Sequence, residues 1–232
     1  MARQKGADIK NEIETIKILQ DVLGWDALPE VLDFDEKKEQ FVVTLAKQGE
    51  RLSMIVGDNA DNASMDYMYE YGQTLAKLHQ SEGRFHEVKD RIFFHIPEAS
   101  YFEAYGLEFV YGYLTSHQPT EISKCFCHGD FHYANLLWEH KHISAILDFE
   151  LSGIGNKEFD IAWALVRRPG QKFLNTKEEL MLFMEGYSSV GNCNWERVRY
   201  YMVLGYSYFY KIGRDMPEYQ SYIRGVLEEY CA

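Results

Sequence analysis

Apolar residues recur after residue 8 at the three-and-four spacing of a helix. Ile9, Ile13, Ile16, Leu19 and Leu23 fall on one face. Asp8 stands where a capping carboxylate is expected, and Gly24 where a helix ends in the left-handed conformation. The pattern then changes. Residues 30–34 and 40–45 read as strands, with Asp35-Glu36-Lys37-Lys38 as the turn between them, and Gly49 breaks the run. From about residue 63 the helical period returns. Met65, Met68, Tyr69, Gly72, Leu75, Ala76 and His79 share one face of a predicted helix, and another is predicted over 98–114. Residues 136–138 and 143–147 read as a short hairpin around Glu139-His140-Lys141. Beyond Glu158 the chain is helical again. Thr176 and Glu179 form a capping-box pattern ahead of Leu180, Leu182 and Phe183, and residues 195–212 are apolar enough for a buried helix.

Composition narrows the function class. The 232 residues suit one large domain or two small ones, and the aromatic content of 15% with only five prolines excludes disorder. The net charge of −12 excludes a duplex-binding protein, which needs a basic face for phosphates, and it permits a cationic small-molecule partner. Cys125, Cys127, Cys193 and Cys231 show no zinc-type spacing and read as free thiols; Cys125 and Cys127 alternate, so a strand would point both the same way. No apolar run approaches a membrane span, and MARQKGADIKNEIE has no apolar region behind its basic residues. The expectation by elimination is a soluble cytoplasmic protein with no nucleic-acid or membrane partner.

The chemistry is concentrated in Cys127-His128-Gly129-Asp130-Phe131-His132-Tyr133-Ala134-Asn135, followed by Ala145-Ile146-Leu147-Asp148-Phe149-Glu150. An Asp in a loop precedes an Asn by five positions, and a hairpin then returns a second Asp to the Asn. Two carboxylates and an amide oxygen therefore meet at one end of the hairpin. Hard oxygen ligands converging from loops suit Mg²⁺, which keeps several waters and binds substrate phosphates.

This spacing resembles the H-R-D-x-x-x-x-N loop of protein kinases and the later Asp of D-F-G. With Gly129 in second place it resembles the aminoglycoside phosphotransferase and choline kinase family, which shares the kinase fold and phosphorylates small molecules. Leu75-Ala76-Lys77-Leu78-His79 is similar to that family's L-A-x-L-H helix, and Phe159-Asp160-Ile161-Ala162 to its D-L-A segment. The resemblance implies an α+β, protein-kinase-like fold. Residues 1–47 would be a truncated small N-lobe carrying a helix and two strands. Residues 48–232 would be a large, mainly helical C-lobe with a catalytic β-hairpin.

The resemblance also implies roles. Asp130 would orient the acceptor hydroxyl and accept its proton, and Asn135 and Asp148 would hold Mg²⁺. Glu12, Leu45 and Lys47 would lie on the ATP side. His128 and Asp160 would fix the catalytic loop, and Glu150 would face the substrate or the metal's surroundings. The family's N-lobe opens with three strands, a phosphate-covering loop and a Lys, whereas only seven residues precede Asp8 here. Arg3 and Lys5 are the nearby cations that could replace that Lys. A shortened reading frame, a degenerate gene product and completion of the lobe by dimerisation all remain open. The leading expectation is an ATP- and Mg²⁺-dependent phosphotransferase acting on a hydroxyl of an aminoglycoside-like or other amine-bearing acceptor. The alternatives are a non-catalytic kinase-like protein and a choline/ethanolamine-type kinase. Gly129 and the lack of an A-P-E segment disfavour a protein kinase.

Overall fold

The computed structural model describes residues 8–35 and 41–232. Residues 36–38 of the predicted turn, and Arg3 and Lys5, lie outside them. The first helix, α1 (Ile9–Leu23), begins where the carboxylate of Asp8 accepts the Asn11 amide at 3.0 Å. It ends at Gly24, with a φ of 58°. Strands β1 (Val31–Phe34) and β2 (Val42–Thr44) pair antiparallel, with a bulge between Val31 and Asp33. The chain then crosses to the rest of the molecule through Gly49, whose φ is 119°. A Cβ there would lie 2.4 Å from Ser144 Oγ and 2.9 Å from the Trp138 carbonyl oxygen. Glycine thus lets the linker lie flat on the later hairpin, where Glu50 and Trp138 form an isolated bridge.

A short helix, α2 (Leu52–Ile55), leads to α3 (Met65–His79). The single helix predicted over 98–114 is two: α4 (Ala99–Tyr105) and α5 (Glu108–Ser116). Gly106 takes a φ of 63° and closes α4, so its lack of a Cβ was used as a stop signal inside an otherwise continuous apolar pattern. Strand β3 (Lys124–Cys127) follows, then the hairpin of β4 (Leu136–Glu139) and β5 (His142–Ile146), and β6 (Gly153–Asn156) returns to pair antiparallel with β3. The remaining elements are α6 (Lys157–Leu165), α7 (Lys177–Ser188), α8 (Trp195–Ile212) and α9 (Pro217–Tyr230). The capping box at Thr176 and Glu179 is formed in both directions. One continuous core runs from Ile16 and Leu19 through α3, the β4–β5 hairpin and α6 to Leu227. All four cysteines are free. Among the described residues no helix is long and apolar enough to cross a membrane.

Helices α3 and α7 approach so closely that their backbones touch at glycines. A Cβ on Gly72 would stand 1.9 Å from the Phe183 carbonyl oxygen, and one on Gly186 1.8 Å from that of Tyr69. Tyr69, which shares a face with Gly72 by its spacing, is 39% exposed, and its carbonyl is the group that meets α7. The contact sets where His79, at the end of α3, and Tyr187, on α7, meet each other. Helix propensity alone favours Ala over Gly by about 1 kcal/mol in a helix interior. We expect the opposite sign here: Gly72→Ala or Gly186→Ala should lower the unfolding free energy by about 2 kcal/mol or more, since backbone atoms must separate. Urea unfolding followed by far-ultraviolet circular dichroism checks this, and a gain in stability would refute the close-approach argument.

Candidate active site

Strand β3 delivers the chain into a tight loop, His128-Gly129-Asp130, and that loop is held by a carboxylate from another helix. Asp160, buried on α6, accepts the His128 amide through Oδ2 at 2.9 Å and the Gly129 amide through Oδ1 at 3.0 Å. The Nε2 of His79 lies 3.2 Å from Oδ2, and its Nδ1 lies 2.8 Å from the Tyr187 hydroxyl. Nε2 thus faces a carboxylate, to which it donates, and Nδ1 faces the Tyr187 hydroxyl. Gly129 has a φ of 80°, and a Cβ on it would stand 2.2 Å from the Leu151 carbonyl oxygen. Both facts require glycine at the second position of the loop.

His128 is fully buried and bonds at both ring nitrogens. The Asp130 amide donates to Nδ1 at 3.3 Å, and Nε2 donates to the Leu147 carbonyl at 3.0 Å. Burial pushes its pKa down despite the nearby carboxylates, which keeps the ring neutral and suited to these two bonds. The ring thereby ties the loop to the residue before Asp148.

Asp130 stands among donors. Its Oδ1 accepts the Trp163 indole N–H at 2.6 Å, and its Oδ2 accepts Asn135 Nδ2 at 3.2 Å and lies 3.4 Å from His132 Nε2. Burial pushes this carboxyl up. The His132 hydrogen bond and charge, the Trp163 donor and the charge of Arg168 outweigh that and hold its pKa at about 2. The group is therefore a carboxylate at neutral pH and a weak base.

The hairpin brings the other predicted residues to it. Asn135 Nδ2 also donates to the Asp130 carbonyl at 3.0 Å, and the Leu147 amide donates to the Asn135 carbonyl at 2.8 Å. Asp148 follows Leu147 with a φ of 68°, an uncommon conformation for a residue with a side chain. The turn of the hairpin, His140-Lys141, likewise takes positive φ values of 51° and 67°. Both donors of the Asn135 amide point to Asp130, which leaves its oxygen for a cation. That oxygen and the carboxylate of Asp148, the residue after Leu147, are hard oxygen donors of the kind Mg²⁺ accepts.

The remaining predicted residues lie around this group. Glu12 is buried on α1. That helix docks on the segment after Asp148, where Asn11 Nδ2 donates to the carbonyls of Glu150 at 3.1 Å and Ser152 at 2.9 Å. Glu150 lines a polar cleft with Asn11, Glu14 and His86, on the α1 side. Leu45 is half-exposed, its amide bonded to the Glu30 carbonyl, and Lys47 Nζ donates to the Asp26 carbonyl. Sequence reasoning missed Trp163, Arg91 and Arg168, and it did not link His132 to Asp130. Trp163 stands three residues after Asp160, on the same face of α6, which is the one signal that could have found it. The structure also places ligand atoms of His79, Cys125 and Cys127 within 4.8 Å of one another, although both His79 nitrogens are already bonded.

The depressed pKa of Asp130 has a thermodynamic consequence. A carboxyl held below its unfolded value stabilises the fold above that value, and the contribution is lost as pH falls through the folded value. Unfolding free energies of the wild type and Asp130→Asn are compared from pH 5 downward, below the range in which the His132 charge changes. The wild type should then lose on the order of 2 kcal/mol relative to the variant between about pH 4 and 2. A pH-independent difference across that window would remove the assigned charge environment.

The fold is shared with solved kinases of small molecules. A choline/ethanolamine kinase family protein from Mesorhizobium loti superposes with a TM-score of 0.60 at 18% identity, covering 99% of this chain and 79% of that one. A spectinomycin phosphotransferase bound to AMP gives 0.61 at 14% identity, over 98% and 85% of the two chains. An aminoglycoside phosphotransferase in ternary complex with AMP-PNP and hygromycin B gives 0.60 at 13%, over 97% and 82%. At these identities the likeness establishes an α+β, protein-kinase-like fold. No protein of curated function matches the chain in sequence. The family model described as the phosphotransferase enzyme family matches residues 2–201, and the chain belongs to that family.

Proposed function

We propose that this chain transfers the γ-phosphoryl group of ATP to a hydroxyl of a small molecule, with Mg²⁺ as the required cation. The observation that carries the reading is the bonding of Asn135 to Asp130, with Leu147, the residue before Asp148, bonded in turn to Asn135. Membership of the phosphotransferase family and a fold shared with nucleotide-bound kinases support it.

In this reading Asp130 accepts a hydrogen bond from the acceptor hydroxyl and aims its oxygen at the phosphorus. The oxygen–phosphorus bond forms as the bond from phosphorus to the β–γ bridging oxygen breaks, and ADP leaves with that electron pair. The hydroxyl proton passes to Asp130 and then to solvent. A carboxylate of pKa about 2 removes a proton late, once bonding to phosphorus has acidified the hydroxyl, so its main work is orientation. Asn135 and Asp148 would hold the cation, which neutralises charge on the β- and γ-phosphates. His128 and Asp160 keep the loop in place, and Trp163 fixes the Asp130 rotamer. Glu12, Leu45 and Lys47 border the nucleotide, with the bond of Lys47 to Asp26 steadying the linker rather than reaching the phosphates. Glu150 is assigned to the surroundings of the metal.

Two measurements test this. Replacing Asp130 by Ala should lower acceptor-dependent ADP formation by on the order of 10² to 10⁴ with little change in the KM for ATP. An unchanged rate would remove Asp130 from the reaction. Asn135→Ala and Asp148→Ala should each raise the Mg²⁺ concentration needed for half-maximal rate by about tenfold or more, and a magnesium profile identical to wild type would reassign the cation.

A further inference from the structure

Strand β3 carries two thiols to one point. Cys125 and Cys127 alternate along it and share a face, and their sulfurs lie 3.9 Å apart. His79, at the end of α3, meets them there. One ligand atom from each of His79, Cys125 and Cys127 lies within 4.8 Å of the other two. Two thiolates bound to Zn²⁺ at about 2.3 Å in a tetrahedral arrangement stand about 3.8 Å apart. The sulfurs already have that spacing, so closing on an ion asks little of the strand.

The imidazole is oriented from behind. His79 Nε2 donates to Asp160 Oδ2 at 3.2 Å. A ligating histidine usually gives its other ring N–H to a carboxylate, which fixes the tautomer and makes the remaining nitrogen a better ligand. Here that nitrogen is Nδ1, 2.8 Å from the Tyr187 hydroxyl. Burial pushes the pKa of this hydroxyl up, and the charge of Cys125 is the next cause, which sets the Cys125 sulfur near it. The hydroxyl can turn from Nδ1 to that sulfur when a cation takes the nitrogen.

The chemistry of the three groups selects the ion. Burial pushes the Cys127 thiol well above its usual range, so without a metal it stays protonated and unreactive. A coordinating thiol, by contrast, is deprotonated outright. Hard cations take oxygen ligands, and sulfur with imidazole suits a softer one. Two thiolates and one divalent cation are neutral together, whereas a monovalent cation would leave a net negative charge beside the Asp160 carboxylate, where burial makes it costly. Cys125 is half-buried and Cys127 borders a cavity of about 510 Å³, which gives ions a route from solvent.

We propose that His79, Cys125 and Cys127 form a Zn²⁺ site at the end of β3, directly before the catalytic loop. Binding makes one zinc–nitrogen and two zinc–sulfur bonds and releases two thiol protons to solvent, with no electron transferred. The site is distinct from the oxygen donors Asn135 and Asp148, and it stands or falls independently of the phosphotransfer reading.

Cd²⁺ is the probe, because its bonds to thiolate absorb in the ultraviolet. The reduced full chain should bind one equivalent with that absorption, and Zn²⁺ should displace it with a Kd of about 1 μM or less. The cadmium nuclear magnetic resonance should fall in the range of a site with two sulfurs and a nitrogen. Cys125→Ser, Cys127→Ser and His79→Gln should each weaken Zn²⁺ binding by more than about tenfold, the least that losing even an outer partner of a metal site costs. Cys231→Ser should leave binding unchanged. Cys125 is half-buried, so its serine variant tests the site even where a change at buried Cys127 or His79 unfolds the chain. The proposal fails if no saturable thiolate absorption appears up to about 100 μM Cd²⁺, or if Zn²⁺ leaves the bound Cd²⁺ in place. It fails equally if Cys125→Ser or a folded His79→Gln binds as the wild type does, or if Cys231→Ser abolishes binding.

Discussion

The structure depends on a buried carboxylate. Asp160 sits within a helix whose residues from Glu158 to Leu165 are all buried, a place where an isolated charge would be costly. It is tolerated because its oxygens receive two loop amides and an imidazole N–H, each a charge-assisted bond worth roughly 1.5–3 kcal/mol. The dependence runs in both directions. The amides of His128 and Gly129 point inward and would lack partners without the carboxylate. The carboxylate would be an uncompensated buried charge without them. Tyr187 and His79 extend the arrangement to α7 and α3, so the glycine contact between those helices helps decide where the catalytic loop lies.

From that anchor the rest of the site follows by short bonds. His128 reaches across to Leu147, Leu147 to Asn135 and Asn135 to Asp130, so the two ends of the β4–β5 hairpin and the loop before it form one rigid unit. Rigidity suits phosphoryl transfer, where catalysis is mostly positioning and electrostatics. The strained backbone of Asp148 is held by the same surroundings, and such strain persists only where neighbouring structure enforces it.

Charge at the site is mixed: the guanidiniums of Arg91 and Arg168 stand near the carboxylates of Asp130 and Asp160. The excess of acids is spread over the surface, and several of them form exposed pairs such as Lys177 with Glu229 and Lys141 with Asp66. Exposed pairs of this kind contribute little to stability. Around Asp130 the groups that matter are Trp163, His132, Arg91 and Arg168. Net charge carries no information about the acceptor, because a sum over the chain does not report which side chains face one cavity.

The sequence by itself determined the local elements and pointed to a candidate set of polar residues. Periodicity located α1, α3 and α8, Asp8 and Thr176 marked the starts of α1 and α7, and the spacing of Asp130, Asn135 and Asp148 singled out one end of the hairpin as the candidate site. These are legible because each rests on a fixed local repeat or on a motif whose chemistry demands particular residue types. The break at Gly106 was less legible, since a glycine inside an apolar run can be tolerated or can stop a helix, and the tertiary fold chose. Its positive-φ hairpin turn, His140-Lys141, lacks the usual glycine, so the pairing of the strands imposed that conformation. Tertiary structure alone decided that Gly72 would meet Phe183 and Gly186 would meet Tyr69. It also decided that Trp163 would bond Asp130, and that Arg91 would bond Gly129 at the edge of a cavity. Those contacts join residues 33 to 117 positions apart. No local pattern encodes them, because the sense of each side chain at such a contact is set by the packing of whole helices.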